Sequence, residues 1–511
     1  MRYILLLHRY LAVAVGLLMV LWCLSGFVMM YQSYPSLSPQ QQLAGLAPLD
    51  LRDCCTLGDT RFNPTAPLPA LRVEMLLGDP VLRFSGFSLR TAEGGTSSVL
   101  NLRTGQALQT LNPEQVLEVA RQYGRGNAIV GEPHSLGIID IDQWTLQSAR
   151  RNRPTWHFAF DDTAATEIYV SGASGEVFQK TTRRERVLAW LGAIPHWLYP
   201  TALRQNGALW NEIVIWSAVA GSFLAATGLY VGIARLRRNR AGQWSSPFRG
   251  WWYWHHVSGL VFGILTLTWV FSGLLTMNPW GALSGGGGTP YRQEIQGRAT
   301  WSEFSTFLSF IVERVNANKY QRLETAPFNG RFYALASQAR EPNVRLDVEG
   351  RLALLTENEV RAALTPLSAP VLALDLLLQE DSYYYGGKGG DRGGEVNLPV
   401  YRVSLADAEN TRLYIDKDSG AVRTLNADGR WSRWLRTGLH DLDFAVLRQQ
   451  PVWDIVVMLL LAGVTLLCLI GTWLAIARVR LDWRILRGRW RRRASTAKLN
   501  PHSRHTDIRT P

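Results

Sequence analysis

Four of the nine histidines stand at the ends of long apolar stretches, at positions that repeat along the chain. His8 and His255 each lie 17 residues before a Ser-Gly pair, and His196 and His440 each precede an apolar stretch in a matching context. Two imidazoles that face each other between helices supply the axial ligands of a b-type haem. We therefore predict two b-type haems, with iron held by His8 and His255 in one and by His196 and His440 in the other.

The simplest alternative is that each of these rings lies at a lipid interface with its polar nitrogens in water, since amphipathic side chains commonly do so. Only the repetition of the positions favours ligation. His256 complicates the first pair, because neighbouring helical residues point about 100° apart and at most one of His255 and His256 faces a partner helix. The repeat aligns His256 with Arg9, which favours His255 and keeps His256 as the alternative. The set contains no Cys or carboxylate partner, which argues against structural zinc or calcium.

The elements that must position these histidines are four stretches of 21 to 24 residues without Asp, Glu, Lys or Arg. They are Tyr10–Tyr31, Ile213–Ile233, Val257–Trp280 and Ile455–Ala477. Each is long enough to cross a hydrocarbon core of about 30 Å as a helix. The sequence therefore predicts an α-helical membrane protein with four transmembrane helices. We expect the first stretch to be a retained anchor, because it is longer than the apolar part of a signal peptide and no small-residue cleavage site follows Met30.

The formal net charge of +13 is concentrated in three pieces, which sets the topology. The residues before the first stretch, the loop from Arg235 to Arg249 and the tail from Arg478 onward carry +2, +5 and +9, and the rest nets −3. Lys and Arg near span ends stay on the cytoplasmic side, so both termini are predicted to be cytoplasmic. This pattern excludes a nucleic-acid partner and makes the lipid bilayer, with its anionic headgroups, the expected partner of the basic tail.

An internal duplication organises the chain. Trp22–Gly26 matches Trp269–Gly273, and Glu167–Val177 matches Arg412–Val422. The approaches to the second and fourth stretches also match, each with a Trp, six residues, the histidine, and then Leu-Arg-Gln before a second Trp. Since both halves start on the same side, they are predicted to be parallel repeats about an axis along the membrane normal.

The predicted organisation is therefore one unit of span, external domain and span, used twice. The boundaries are 1–31 (helix 1), 32–208 (external domain 1), 209–234 (helix 2), 235–252 (basic loop), 253–280 (helix 3), 281–452 (external domain 2), 453–477 (helix 4) and 478–511 (basic tail).

The external domains are predicted to be small α+β modules. Asn112–Gln115 and Thr356–Glu359 have the pattern of capping boxes at helix starts. Thr155–Phe160 with Glu167–Val170, and Val400–Leu405 with Thr411–Ile415, are typical of antiparallel hairpins, and Gly175 and Gly420 suit the tight turn that follows. Gly285–Gly288 and Gly386–Gly394 do not match a nucleotide-binding spacing and are interpreted as flexible loops. Adjacent Cys54 and Cys55, with no third external cysteine, predict no disulfide framework and no CxxC motif.

The motifs resemble those of the PepSY-associated transmembrane family of bacterial inner-membrane proteins. The resemblance is carried by His8-Arg9-Tyr10-Leu11 with Ser25-Gly26, Pro195-His196-Trp197-Leu198 with Thr227-Gly228-Leu229-Tyr230, and His255, Ser272-Gly273, Gly438-Leu439-His440 and Gly471-Thr472-Trp473 in the second half. Tyr169–Val177 and Tyr414–Val422 are similar to the periplasmic PepSY module. The resemblance extends over most of the chain from residue 1 to about 480.

The resemblance implies a bacterial inner (plasma) membrane location, two periplasmic PepSY-like modules and family histidines at His8, His255, His196 and His440. It further implies a siderophore-reductase-like oxidoreductase that takes electrons across the membrane and reduces a ferric siderophore or another periplasmic acceptor. Only a short basic tail follows Ala477, so the electron donor is expected to be a separate partner on the cytoplasmic side or in the membrane. The competing hypothesis is a non-redox module that binds or regulates periplasmic peptides or peptidases; absorbance at haem wavelengths distinguishes the two.

Overall fold

The computed structural model describes residues 2–55, 63–92, 94–281, 289–314, 317–386 and 396–498, with side chains described except at 289, 313, 314 and 489–498. The chain divides into two compact units. The helical unit consists of Met1–Phe27, Asn211–Pro279 and Arg436–Pro511, and the β-rich unit consists of Val28–Trp210 and Trp280–Leu435.

The described helices are, in chain order, α1 (Arg2–Met29), α2 (Pro39–Ala44), α3 (Pro113–Gly126), α4 (Arg183–Leu191), α5 (Ala193–His196), α6 (Thr201–Arg204), α7 (Gly207–Arg235), α8 (Trp251–Thr276), α9 (Thr289–Gln296), α10 (Trp301–Arg314), α11 (Glu357–Leu364), α12 (Ala427–Ser432), α13 (Leu439–Asp441) and α14 (Val452–Lys498).

The described strands are β1 (Leu71–Leu76), β2 (Asp79–Phe84), β3 (Leu89–Arg90), β4 (Thr96–Ser97), β5 (Val99–Asn101), β6 (Pro133–Ile139), β7 (Thr155–Phe160), β8 (Glu167–Ser171), β9 (Val177–Thr181), β10 (Arg237–Arg238), β11 (Trp244–Ser245), β12 (Arg322–Thr325), β13 (Ala334–Ser337), β14 (Val344–Leu346), β15 (Val371–Leu377), β16 (Val400–Leu405), β17 (Arg412–Asp416) and β18 (Val422–Leu425).

Among the described residues, four helices are long and apolar enough to cross a membrane, namely α1, α7, α8 and α14. Helices α7 and α14 contain their charge-free stretches entirely, and α1 and α8 contain all but the last two and the last four residues of theirs, so the prediction of four such helices is confirmed. Small residues bring the helices of the unit close together, as is usual where helices associate without a hydrophobic driving force. A Cβ atom added at Gly16 of α1 would lie 2.6 Å from Thr472 of α14, and one at Gly263 of α8 would lie 3.1 Å from Leu229 of α7.

The β-rich unit is built around a six-stranded antiparallel sheet in the order β14-β13-β12-β1-β2-β5. Its two central strands come from the two predicted external domains, since β1 pairs with β12 in the register Arg72↔Glu324 and Glu74↔Arg322. Helix α10 covers the sheet with Trp301, Phe304, Phe307 and Ile311, all buried in one core. The two external segments thus share one sheet, which the sequence analysis did not predict.

The β-rich unit also contains two four-stranded antiparallel sheets, in the orders β6-β7-β8-β9 and β15-β16-β17-β18, and the two-stranded sheet β3-β4. Helix α3 shares a core with the first sheet, and α11 shares a core with the second. Both helices begin with the predicted capping boxes, at Asn112 and at Thr356. The predicted hairpins form as β7–β8 and β16–β17, and the turn after each has a glycine in the left-handed region, with φ of 69° at Gly175 and 72° at Gly420.

Cys54 and Cys55 form a disulfide between adjacent residues, so these two cysteines are bonded even though they establish no wider framework. The bonded pair packs against the core under the six-stranded sheet. The predicted flexible loops at Gly285–Gly288 and Gly386–Gly394 lie outside the described residues, apart from Gly386.

Candidate functional site

His8 of α1 and His255 of α8 face each other inside the helical unit. Their ring centres are 6.4 Å apart, and the ring planes are inclined by 34°. The two residues are 247 positions apart in the sequence, and their side chains meet because α1 and α8 belong to the same bundle. The first of the two predicted histidine pairs is therefore brought together at one end of the bundle.

The backbone of α7 fixes the orientation of the His8 ring. Nδ1 of His8 lies 3.1 Å from the carbonyl oxygen of Leu224, and the hydroxyl of Thr227 lies 3.4 Å away. A carbonyl can only accept, so Nδ1 carries the proton and the lone pair of the neutral ring is on Nε2. A backbone carbonyl on Nδ1 is a common arrangement for a metal-ligating histidine, whose other nitrogen then faces the metal.

The His255 ring has a buried nitrogen without a partner. Its Nδ1 makes no hydrogen bond to any residue within the described ranges. The Leu467 carbonyl of α14 stands beside it, in the position that Leu224 has for His8, but the contact does not reach hydrogen-bond geometry. A buried polar atom without a hydrogen-bond partner costs free energy, and Nδ1 of His255 is such an atom.

Glycines make room for both rings. A Cβ atom added at Gly228 of α7 would lie 2.6 Å from Cε1 of His8, and one at Gly471 of α14 would lie 2.7 Å from Cε1 of His255. Real Cβ atoms do not approach other atoms this closely, so any larger residue at either position would displace a ring. Both glycines belong to the sequence motifs that carry the family resemblance.

His256, the alternative to His255, has both ring nitrogens engaged. Nε2 donates to the carbonyl oxygen of Gly232 at 2.8 Å, and Nδ1 lies 2.9 Å from the hydroxyl of Ser246. The side chain is only 7% exposed. Because both nitrogens are occupied and the ring that faces His8 belongs to His255, the geometry favours His255 as the ligand.

His440 lies at the other end of the bundle, in the short helix α13. Its Nδ1 is 3.2 Å from the carbonyl oxygen of Trp269 and 3.3 Å from the hydroxyl of Ser272, both on α8. A Cβ atom added at Gly273 would lie 3.2 Å from Cε1 of His440. The Ser-Gly pair that defined the repeat therefore contacts a predicted ligand directly.

His196 belongs to the β-rich unit, at the end of α5. The pairing of His196 with His440 therefore stays a prediction. One local hydrogen bond is nevertheless common to the two histidines. The indole nitrogen of Trp210 donates to the carbonyl of Trp197 at 2.9 Å, and that of Trp453 donates to the carbonyl of Asp441 at 3.0 Å. In each case the acceptor is the residue directly after the histidine.

Two tyrosines of the β-rich unit, one in each repeated segment, pair with buried or half-buried carboxylates. The hydroxyl of Tyr169 donates to Asp142 at 2.7 Å, and that of Tyr414 donates to Asp381 at 2.9 Å. Burial, followed by the carboxylate that each hydroxyl faces, raises the pKa of Tyr169 and of Tyr414. Burial alone would raise the pKa of Asp381, but the backbone N–H groups of Tyr384 and Tyr383 lower it below its ordinary value.

Other polar side chains of the β-rich unit are also paired. Asp140 pairs with Arg153 at 2.5 Å, His134 lies 3.8 Å from Asp161, and His157 pairs with Glu167 at 3.1 Å. Asp142 and Asp381 precede the repeated tyrosines by 27 and 33 residues, so no common spacing marked Asp381 in the sequence.

Within the described ranges, no group of three or more His, Cys, Asp or Glu residues is placed to hold a metal ion, so the facing histidines are the candidate site. In comparisons with known proteins, the chain matches no family model and no curated sequence. The class of the protein is set by its own structure, a bundle with four helices able to cross a membrane together with a β-rich unit.

Proposed function

We propose that the chain transfers electrons across a bacterial inner membrane through two b-type haems and reduces a ferric siderophore on the periplasmic side. The observation that carries the proposal is the facing pair of His8 and His255 inside a bundle of apolar helices. No acidic or basic residue lies in the four charge-free stretches, and His8 and His255 stand two residues before the first and the third of them.

The geometry of the pair supports haem ligation. A metal-bound imidazole nitrogen lies about 2 Å from the metal and the ring centre about 1.1 Å further out, so two axial imidazoles place their centres roughly 6 Å apart. The separation of 6.4 Å agrees with this value. The hydrogen bond from Nδ1 of His8 to Leu224 leaves Nε2 of that ring for iron.

Equivalent contacts in the two halves support the proposal of parallel repeats. His8 lies against Gly228 as His255 lies against Gly471, and the tryptophan bonds after His196 and His440 correspond. The matching pairs of α3 with β6–β9 and α11 with β15–β18 support the proposal of two PepSY-like modules.

Bound haem would supply a one-electron carrier, and reduction of iron(III) in a chelate needs little covalent chemistry beyond such a carrier. The chain's own residues have three tasks. Leu224 and Trp269 orient imidazoles through their carbonyl groups, Gly228 and Gly471 leave room for the rings, and the apolar helices exclude water. The proposed electron donor is a separate partner on the side of the two termini.

The test is a visible spectrum of the purified full-length protein, expressed with ample haem, before and after dithionite. We expect a Soret band and low-spin haem signals that shift on reduction, and faster release of iron(II) from a ferric siderophore mixed with reduced protein than with protein-free buffer. A colourless protein would end the proposal and favour the non-redox peptide-binding module. If the protein contains haem but reduces no ferric chelate, the proposed role in electron transfer stands and the proposed siderophore substrate is wrong.

The glycines beside the rings give a second prediction. Gly228→Ala and Gly471→Ala should each displace an imidazole and weaken haem retention about tenfold or more, because supporting residues of a metal ligand commonly have effects of this size. The measurement is haem per protein by the pyridine haemochrome assay after repeated washing. The matched controls are Gly232→Ala and Gly259→Ala, where the nearest atoms to the new Cβ are 3.5 and 3.7 Å away. Equal haem contents in all four variants would contradict this role of Gly228 and Gly471.

A further inference from the structure

The loop between α7 and α8 folds into a small hairpin with a strongly basic surface. Strands β10 and β11 pair Arg237 with Ser245 and Arg238 with Trp244. The turn is ordered by Asn239, whose side chain accepts from the backbone N–H groups of Ala241 and Gln243 at 2.9 Å each. A topogenic charge needs no fold of its own, so an ordered hairpin is more than the positive-inside rule requires.

The charge on this surface is uncompensated. Arg237, Arg238, Arg240 and Arg249 are exposed, and none of them forms an ion pair among the described residues. The sequence has no Asp or Glu between Glu212 and Glu294. The acid at this end of the bundle, Asp482, is already paired with Arg9 at 2.8 Å and Arg478 at 3.5 Å.

His256 attaches the hairpin to the bundle next to the histidine pair. Its Nε2 donates to Gly232 of α7, and its Nδ1 meets the hydroxyl of Ser246, which directly follows β11. The Phe248 ring packs edge-on against the His256 ring with centres 5.1 Å apart. His255, which directly precedes His256 in the sequence, faces His8. The basic surface is thus held beside the proposed inner haem site.

We propose that the arginines of this hairpin dock an acidic protein that carries a one-electron flavin or iron–sulfur centre. The inference rests on the proposed function and identifies the class of its electron donor. The reduced donor would lose one electron, and the inner haem iron would go from iron(III) to iron(II), with no bond formed or broken and no proton moved. Clustered charge of one sign steers an oppositely charged partner and raises its association rate by roughly 10- to 1,000-fold at low salt.

The test measures binding directly, so that it does not depend on haem. The full-length protein in nanodiscs of neutral phosphatidylcholine is titrated with a flavodoxin and with a plant-type ferredoxin, both acidic, at low and high salt. We expect at least one of these carriers to bind at low salt, and R237E/R238E/R240E to weaken its binding about tenfold or more. The matched control, R480E/R484E/R487E, changes three exposed arginines of α14 by the same charge and should change Kd less than about threefold.

Three results would overturn the inference: no binding of either carrier at low salt, equal effects of the two triple variants, or a hairpin variant that alters only association with phosphatidylglycerol vesicles. The last would assign the hairpin to anionic lipid. His256→Ala gives an independent check, since loosening the hairpin should also weaken carrier binding while the arginines remain. Failure of the proposed function is distinguishable, because it would appear as a protein without a Soret band that still binds the acidic carrier.

Discussion

His8→Ala and His255→Ala should each reduce the haem content of the purified protein from about two haems per chain to about one. The rings face each other at 6.4 Å, so either substitution leaves the iron of that site with one axial imidazole. Any haem retained there should convert from a low-spin to a high-spin spectrum. The measurements are the pyridine haemochrome assay and the low-temperature electron paramagnetic resonance spectrum of the oxidised protein.

Two histidine controls separate ligation from general damage. His134 is an exposed side chain of the β-rich unit, so His134→Ala should leave both haems in place. His256→Ala removes a buried ring whose two nitrogens already have partners, and it should likewise leave the haem count unchanged. A His8→Ala protein with two low-spin haems would rule out this ligand pair. Loss of one haem in His256→Ala but not in His255→Ala would transfer the ligand role to His256.

The parts of the fold that the sequence predicted are those set by local properties. A span depends on an uninterrupted apolar run, so the charge-free stretches correspond to α1, α7, α8 and α14. A capping box depends on four residues, so Asn112 and Thr356 were identified as helix starts. The His8–His255 contact is non-local, but the duplication supplied the missing information by marking equivalent positions in two helices.

The shared six-stranded sheet could not be predicted in this way. Pairing of β1 with β12 joins residues about 250 positions apart, and both strands are short and carry charged residues that resemble a solvated surface. The burial of Glu74 could not be predicted from the sequence either, because glutamate is almost never fully buried unless it is paired. Its partners, Arg83 and Arg322, become neighbours only once the sheet has formed.

Glu74→Gln should destabilise the β-rich unit by about 3–5 kcal/mol, because removing one partner from a buried ion pair leaves the others uncompensated. The Glu74 side chain is 1% exposed, and its carboxylate lies 2.7 Å from Nε of Arg83 and 2.5 Å from Nε of Arg322. Arg83 comes from the neighbouring strand β2 and Arg322 from the other external segment, so Glu74 joins three strands. The measurement is the apparent Tm of the full-length protein followed by its β-sheet circular dichroism.

The same carboxylate predicts a dependence of stability on pH. Burial alone would raise the pKa of Glu74, but Arg83, Arg322 and Arg72 lower it below the ordinary value for glutamate. A group whose pKa is lower in the folded state stabilises the fold at pH values above its unfolded-state pKa, and that stabilisation is lost as the pH falls through the folded-state pKa. The Tm of the wild type should therefore fall on acidification below about pH 4, and Glu74→Gln should flatten this part of the profile.

Glu324→Gln is the matched control, since Glu324 faces Arg72 across the same pair of strands as Glu74 faces Arg322. Its side chain is 35% exposed and lies 3.6 Å from Arg322, so solvent screens the interaction and the substitution should cost only about 0–1 kcal/mol. If Glu74→Gln and Glu324→Gln lower the Tm equally, burial does not determine how strongly the Glu74 carboxylate and its arginines stabilise the fold. If only Glu74→Gln lowers the Tm, the join between the two external segments depends on one buried carboxylate shared by arginines from both.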